Sequence, residues 1–342
     1  MRIVGLDILR AIAVLLVIMR HSALENNYIH KFGWLGVDLF FVISGFLVSG
    51  LLFAEYKKTG KFNIRRFLIR RGFKIYPSFY FFLIAAIFIN WYFLNQVPSI
   101  SRLLSEIFYL QNYLPNIFTH TWSLAVEEHF YIILACTLLL LYKLNLFKPK
   151  NKYILYLSML FIAIFCFRSF VYASNISSFS LQQTHLRADG IILGVLIAYM
   201  YHFTDYVSKF SKYKWLLLPL SAFLLIPGFL WDAGSFRMNI AGLSSVNLGF
   251  GIIVFLIAGN HQISEWKQAW LKAIGWVGMH SYSIYLWHLM TNFFLLKFFH
   301  FNIYIMTIIY VVASFSVGIL FSITIERTFL KMRESKWVKK WY

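Results

Sequence analysis

The sequence predicts an all-α, polytopic membrane bundle of about ten transmembrane helices with both ends of the chain on the cytoplasmic side, and three observations carry that prediction. Of 342 residues, 60% are apolar and 20% aromatic while only 13% are charged, against about 25% charged in soluble domains. Ten apolar segments recur along the chain, each suited to a hydrocarbon core of ~30 Å, which takes about 20 helical residues to cross. Lys and Arg gather in every second connection between those segments, the pattern by which cytoplasmic loops hold orientation.

The segments run over 3–23, 34–54, 75–95, 123–142, 153–173, 186–203, 215–231, 241–259, 280–299 and 304–325. The first continues past intramembrane charges into further spans, so it reads as a retained helix rather than a cleaved leader. After the second comes the connection 55–74, with eight basic residues against one acid; this puts it, and with it the N-terminus, in the cytoplasm. Lys143 to Lys152, Lys209 to Lys214, Lys267 with Lys272, and a tail from Arg327 to Lys340 follow the same alternation. Topology thus accounts for the surplus of 32 Lys and Arg over 13 Asp and Glu, and nucleic-acid binding is set aside. Cys136 and Cys166 fall within apolar spans and read as small buried hydrophobes, with no disulfide framework. Pro219, Pro227 and several glycines mark 215–231 and 241–259 as kinked or partly re-entrant. No internal repeat or polar linker announces a second domain.

Ionisable residues inside the spans are the candidates for function. On a helix the step from Arg10 to His21 leaves the two side chains within roughly 20° of each other and about 16 Å apart along the axis. Arg10 either lines the bundle interior or snorkels to the headgroups, with His21 then an interfacial residue. Asp38, near the outer end of the second span, either pairs with a base such as Arg20 or orients His21. Arg70, Arg71 and Lys74 at the inner mouth suit phosphate groups, although juxtamembrane cations also serve topology and anionic lipid. Glu127 and Glu128 open the fourth span after His120 and Trp122. Capping explains one acid there, but neighbours 100° apart cannot both face the headgroups, so one should point inward beside His21 or His120. Arg187 and Asp189 read as packing or ion-pair elements, and His288 as a hydrogen-bonded structural histidine. The His, Cys and carboxylate spacings give no metal site.

Six stretches taken in order carry a resemblance: Gly5-Leu6-Asp7-x-Leu9-Arg10 followed by His21; Gly36-Val37-Asp38-Leu-Phe-Phe-Val-Ile-Ser44-Gly45; Arg70-Arg71-x-x-Lys74-Ile-x-Pro77; Trp122-Ser-Leu-x-Val-Glu127-Glu128-x-Phe-Tyr131; Ser281-Tyr282-Ser-x-Tyr285-Leu-Trp287-His288; and Glu326-Arg327. The chain resembles the acyltransferase-3 family of integral-membrane O-acyltransferases over its whole length. The resemblance implies transfer of an acyl group, usually acetyl from acetyl-CoA, to a hydroxyl of a surface glycan, peptidoglycan or another exported or lipid-linked saccharide. It also implies a bacterial-type inner membrane, a membrane acyltransferase domain over 1–330 and a basic cytoplasmic tail over 331–342. Arg10 and His21 correspond to the family's best-marked functional pair. Lys74 stands where Arg is common, His129 where Gln is common, and Arg20 directly precedes the motif histidine. Some members carry a fused C-terminal hydrolase-like domain, for which a chain ending at Tyr342 is expected to be too short.

The expected mechanism follows from sidedness. The phosphates of a cytoplasmic acyl-CoA suit Arg70, Arg71 and Lys74, with Arg10 continuing the cationic path inward. His21 is the expected general base, oriented by Glu127 or Asp38, with His120, Trp122 and Glu128 on the acceptor side. Membrane lipid is the remaining partner, and no metal is expected. Two rivals are a transporter or flippase of a lipid-linked sugar, which should show inverted repeats and broken midplane helices, and a non-catalytic scaffold, which has no use for Arg10.

Overall fold

The computed structural model describes residues 3–22, 28–149, 151–174, 176, 180–260, 268–335 and 338, and among them there are helices and turns but no strand. Each of the ten apolar segments folds as a helix: α1 (Val4–Arg20), α2 (Leu35–Thr59), α3 (Ile64–Leu94), then, after a short amphipathic α4 (Ile100–Ile107), α5 (Trp122–Lys143), α6 (Lys152–Ala173), α7 (Asp189–Phe203), α8 (Lys214–Leu230), α9 (Leu243–Gly259), a short α10 (Ala269–Met279), α11 (Ser281–Phe298) and α12 (Ile303–Phe321). By length and composition, seven helical stretches among the described residues can cross a membrane: His30–Thr59, Ile64–Leu94, Thr119–Lys143, Lys152–Ala173, Tyr206–Leu230, Met238–Gly259 and Ile303–Arg333. The protein is an integral membrane protein.

The short helices sit at the centre. In α7 eleven of 15 residues are buried, and in α11 eleven of 18, so protein rather than lipid surrounds them and their length need not match the bilayer. By contrast, only 11% of the apolar window is buried in Lys152–Ala173 and in Tyr206–Leu230, which are peripheral. Small residues set the central seam. A Cβ at Gly45 would collide with the Ile191 carbonyl, and one at Gly194 with the Val42 carbonyl, so α2 and α7 cross backbone to backbone.

Three local expectations are corrected. The basic stretch 55–74, expected as the connection between two spans, is mostly helix: α2 runs to Thr59, Gly60 closes it at φ 68°, and Asn63 caps α3 by accepting from Arg66 N at 2.9 Å. Second, α8 is continuous through Pro219 and Pro227; the re-entrant reading fails because Pro removes one helical hydrogen bond without ending a helix that neighbours support. Third, α10 lies in what reads as a cytoplasmic connection. It packs on the first half of α1, so closely that a Cβ at Gly278 would collide with the Asp7 carbonyl.

Candidate active site

Two cavities follow one another along α2. The larger, about 760 Å³, is lined from Val37 to Thr59; the smaller, about 270 Å³, from Gly33 to Val37. Both reach Val37 and Tyr285, where their walls meet. Along α1, Arg10 lines the larger cavity and His21 the smaller. The face shared by Arg10 and His21 therefore looks into both chambers in turn.

The larger cavity is basic. Seven cationic side chains line it, Arg10, Lys58, Arg66, Arg70, Arg71, Lys74 and Arg333, against the carboxylates Glu55 and Glu127. Arg71 is the best held. It reaches Glu127 at 3.4 Å and Glu128 at 3.5 Å and lies 4.1 Å over the Tyr131 ring. Glu127 also accepts from Ser44 at 2.9 Å and from Tyr131 at 2.8 Å, and Glu128 from Tyr76 at 3.3 Å. Arg10 stands 3.9 Å from Asp7 one turn away, and Arg70 forms a surface pair with Glu334 at 3.8 Å. Lys74 makes no hydrogen bond or contact-distance ion pair among the described residues; Asp7 and Glu326 attract it from further off while Arg10 and Arg71 repel it. This arrangement fits a ligand with several negative charges.

The smaller cavity is built around His21, His120, Trp34, Trp122 and Arg187. His21 follows the end of α1; its Nδ1 lies 2.9 Å from Val17 O and 3.3 Å from His288 Nε2, and its carbonyl accepts from Asn292 at 2.9 Å. His120 sits on a buried turn, Thr119–Thr121, which the fully buried Glu106 fixes by accepting from Ile117 N, Phe118 N and Thr121 Oγ1 at 3.0–3.2 Å. Burial raises the Glu106 carboxyl above its ordinary range, and those donors oppose the shift. Tyr285 donates to His120 O at 2.6 Å and receives Ser123 at 2.7 Å, tying the partition between the cavities to α5.

The family model described as an acyltransferase domain, that of the acyltransferase-3 family, matches residues 3–327. The chain belongs to the acyltransferase-3 family. It is 27% identical over 314 residues to O-acetyltransferase OatA of Staphylococcus aureus (strain NCTC 8325 / PS 47), which covers 83% of this chain and 49% of that protein. To peptidoglycan O-acetyltransferase OatA of Listeria monocytogenes serovar 1/2a it is 26% identical over 310 residues, covering 83% and 48%. The chain thus spans about half the length of the curated relatives it matches. No solved structure matches it.

In this acyltransferase-3 bundle the four residues expected to bind the donor, Arg10, Arg70, Arg71 and Lys74, line one cavity, and His21, His120 and Trp122 line the other. Neither carboxylate expected to orient His21 does so. Asp38 is fully buried and pairs with Arg187 at 2.9 Å, the guanidinium lying over Phe41 and Trp122. Glu127 and Glu128 both turn to Arg71, and neither lines the smaller cavity with His21. The reason is depth: α5 begins only after the buried turn Thr119–Thr121, so its first acids lie inside the bundle, level with the second turn of the 31-residue α3.

Sequence reasoning missed other parts of the site. Ser44, Tyr131 and Tyr285 lie inside the motifs that carry the resemblance, yet their sequence context assigns them no role, and that of His288 suggests structure only. Arg168 was passed over, although a lone arginine in an apolar span is a signal in itself; it is fully buried against Asp189 at 2.8 Å and hydrogen-bonded to the carbonyls of Leu186 and Asn239. Among the described residues no three His, Cys, Asp or Glu side chains are grouped to hold a metal ion.

Proposed function

We propose that this chain transfers an acyl group, acetyl by default, from a coenzyme A thioester held in the basic cavity to a hydroxyl of an envelope glycan or lipid-linked saccharide presented at the histidine cavity. The observation that carries the reading is the pair of cavities meeting at Val37 and Tyr285, one rich in cations, the other holding His21, whose Nε2 has no hydrogen-bond partner among the described residues. A CoA donor has phosphates at one end and a thioester at the end of a thin arm, so charge at the mouth and an apolar lining above it, Phe40, Ile43 and Leu47, match its two parts. The positive-inside pattern of the sequence supports a cytoplasmic position for the basic mouth, the side on which acyl-CoA is made.

In this mechanism Lys74, Arg10 and Arg71 hold phosphate oxygens, and Glu127 and Tyr131 keep Arg71 in place. His21 Nε2 takes the proton of the acceptor hydroxyl as that oxygen bonds to the acyl carbon. The carbon–sulfur bond breaks with its electron pair on sulfur, and the proton passes from the imidazolium to the thiolate, leaving an ester and free CoA. The relatives' names, O-acetyltransferase and peptidoglycan O-acetyltransferase, support acetyl as the group and a glycan as the acceptor.

The test is mass spectrometry of envelope saccharides from cells with and without the gene, paired with binding of CoA to the purified full chain. A lost acyl ester and measurable CoA binding are expected. An unchanged ester profile, or a Kd for CoA unaffected in both Arg10→Ala and Arg71→Ala, refutes the assignment.

A further inference from the structure

Resting on that reading, we propose that His288 is the positioning residue of the reaction: it holds His21 in the tautomer that leaves Nε2 free as the base and steadies the imidazolium that forms.

Carbonyl oxygens only accept hydrogen bonds, and this fixes both rings. His288 Nδ1 lies 2.5 Å from Tyr285 O, so this nitrogen carries the proton and His288 Nε2 carries the lone pair. That lone pair faces His21 Nδ1 at 3.3 Å. His21 Nδ1 is in turn 2.9 Å from Val17 O, so it too is the protonated nitrogen, sharing its hydrogen between the carbonyl and His288. What remains on His21 is Nε2, unprotonated and without a partner among the described residues, on a ring that lines the outer cavity.

Val17 O, at 2.9 Å, is the closer acceptor, a backbone carbonyl one turn back on the helix that His21 itself ends. His288, at 3.3 Å, is the side-chain acceptor, and its packing holds it in place. It is fully buried, its ring meets His120 edge-on at 5.2 Å and 85°, and it sits 5.6 Å from the Tyr285 ring. His120 is likewise fixed, donating from Nε2 to Leu286 O at 3.2 Å. A ring flip of His21 would put carbon at the Nδ1 position and lose both acceptors. When His21 takes the hydroxyl proton, its Nδ1 hydrogen becomes a charged donor, and the His288 lone pair is the side-chain acceptor already in line with it. His288 thus fills the role that the sequence offered to Asp38 or Glu127, both of which the fold commits to arginines.

The test compares His288→Leu with His288→Gln in the full-length protein. Gln places a carbonyl oxygen near the position of Nε2 and keeps an acceptor; Leu does not. His288→Leu should lower kcat about ten- to hundredfold, the worth of one hydrogen bond to a charged group, with KM for the acceptor and affinity for CoA unchanged, and Gln should restore most of the rate. A Leu variant at the wild-type rate, or Leu and Gln equally slow with normal CoA affinity, overturns the proposal. Should His288→Leu fail to fold, nitrogen-15 histidine spectra of the unmodified protein decide: the His21 signal, assigned by its loss in His21→Gln, should show protonated Nδ1 and bare Nε2, and the opposite tautomer overturns the proposal. Wild-type acylation by His21→Ala would instead refute the proposed function, and the tautomer spectrum would still decide the His288 contact.

Discussion

Lys74 is a clean probe of the proposed donor cavity, because among the described residues its removal breaks no contact-distance bond and it faces Arg10 and Arg71 inside that cavity. Arg71 is not: with it gone, Glu127 and Glu128 lose the guanidinium at 3.4 and 3.5 Å, and stripping one partner from a buried ion pair costs about 3–5 kcal/mol. Any loss of donor binding in Arg71→Ala would then be mixed with a loss of fold. Lys74→Met keeps the length and apolar stem of the side chain and deletes the charge. It also relieves repulsion from Arg10 and Arg71, so the fold should be unharmed. A charged hydrogen bond to phosphate is worth about 1.5–3 kcal/mol, or about ten- to 150-fold in Kd. Titration calorimetry of CoA into protein in detergent reads that factor directly, and a thermal melt of the same sample reports stability. The expected result is a Kd raised by one to two orders of magnitude with an unchanged melt. An unchanged Kd would show that phosphates do not bind at this mouth, and the donor assignment would fall with it.

His21→Gln keeps a hydrogen-bonding side chain but no base, so turnover with acetyl-CoA should fall by about 10²–10⁴ while the Kd for CoA stays near normal; wild-type turnover refutes the base. Asp38→Asn leaves Arg187 buried without its counter-charge at 2.9 Å, a loss of about 3–5 kcal/mol that should lower the melting temperature and the yield of folded protein, whereas Glu55→Gln, on an exposed pair at 3.6 Å, should leave both within error. Gly194→Val forces a side chain into the Val42 carbonyl; overpacking of this kind costs at least about 1–3 kcal/mol, and a membrane fraction with wild-type thermal stability would contradict the close α2–α7 crossing.

Within single elements the sequence was easy to read. Arg10 and His21 share a helix, so their common face follows from 100° per residue, and the two cavities lie along it. The ten apolar segments needed only length and composition, yet α10 escaped because eleven residues with two internal glycines and Lys272 look like a loop. Between elements the sequence was silent. Whether Glu127 meets His21 or Arg71 depends on how deep α5 begins, and that is set by the Glu106 clamp on Ile117, Phe118 and Thr121 rather than by anything local to Glu127. Asp38 has several arginines within plausible reach by topology; Arg187 wins because α2 and α7 cross at Gly45 and Gly194, which brings the two chain ends of those helices together.

The layer at Val37 and Tyr285 has an electrical consequence. On the proposed topology, with the two cavities opening to opposite sides of the membrane, a transmembrane voltage would fall mainly across the residues they share rather than across the whole bilayer. Moving one elementary charge through that layer against 100 mV takes about 2.3 kcal/mol, and a leak there would discharge the membrane. An acyl group is neutral, so it can pass the field without electrical work while a proton or a phosphate cannot. On that topology Tyr285, braced by His120 O and Ser123, is the expected dielectric seal, and replacing it with a small residue should be visible as ion conductance even where acylation persists.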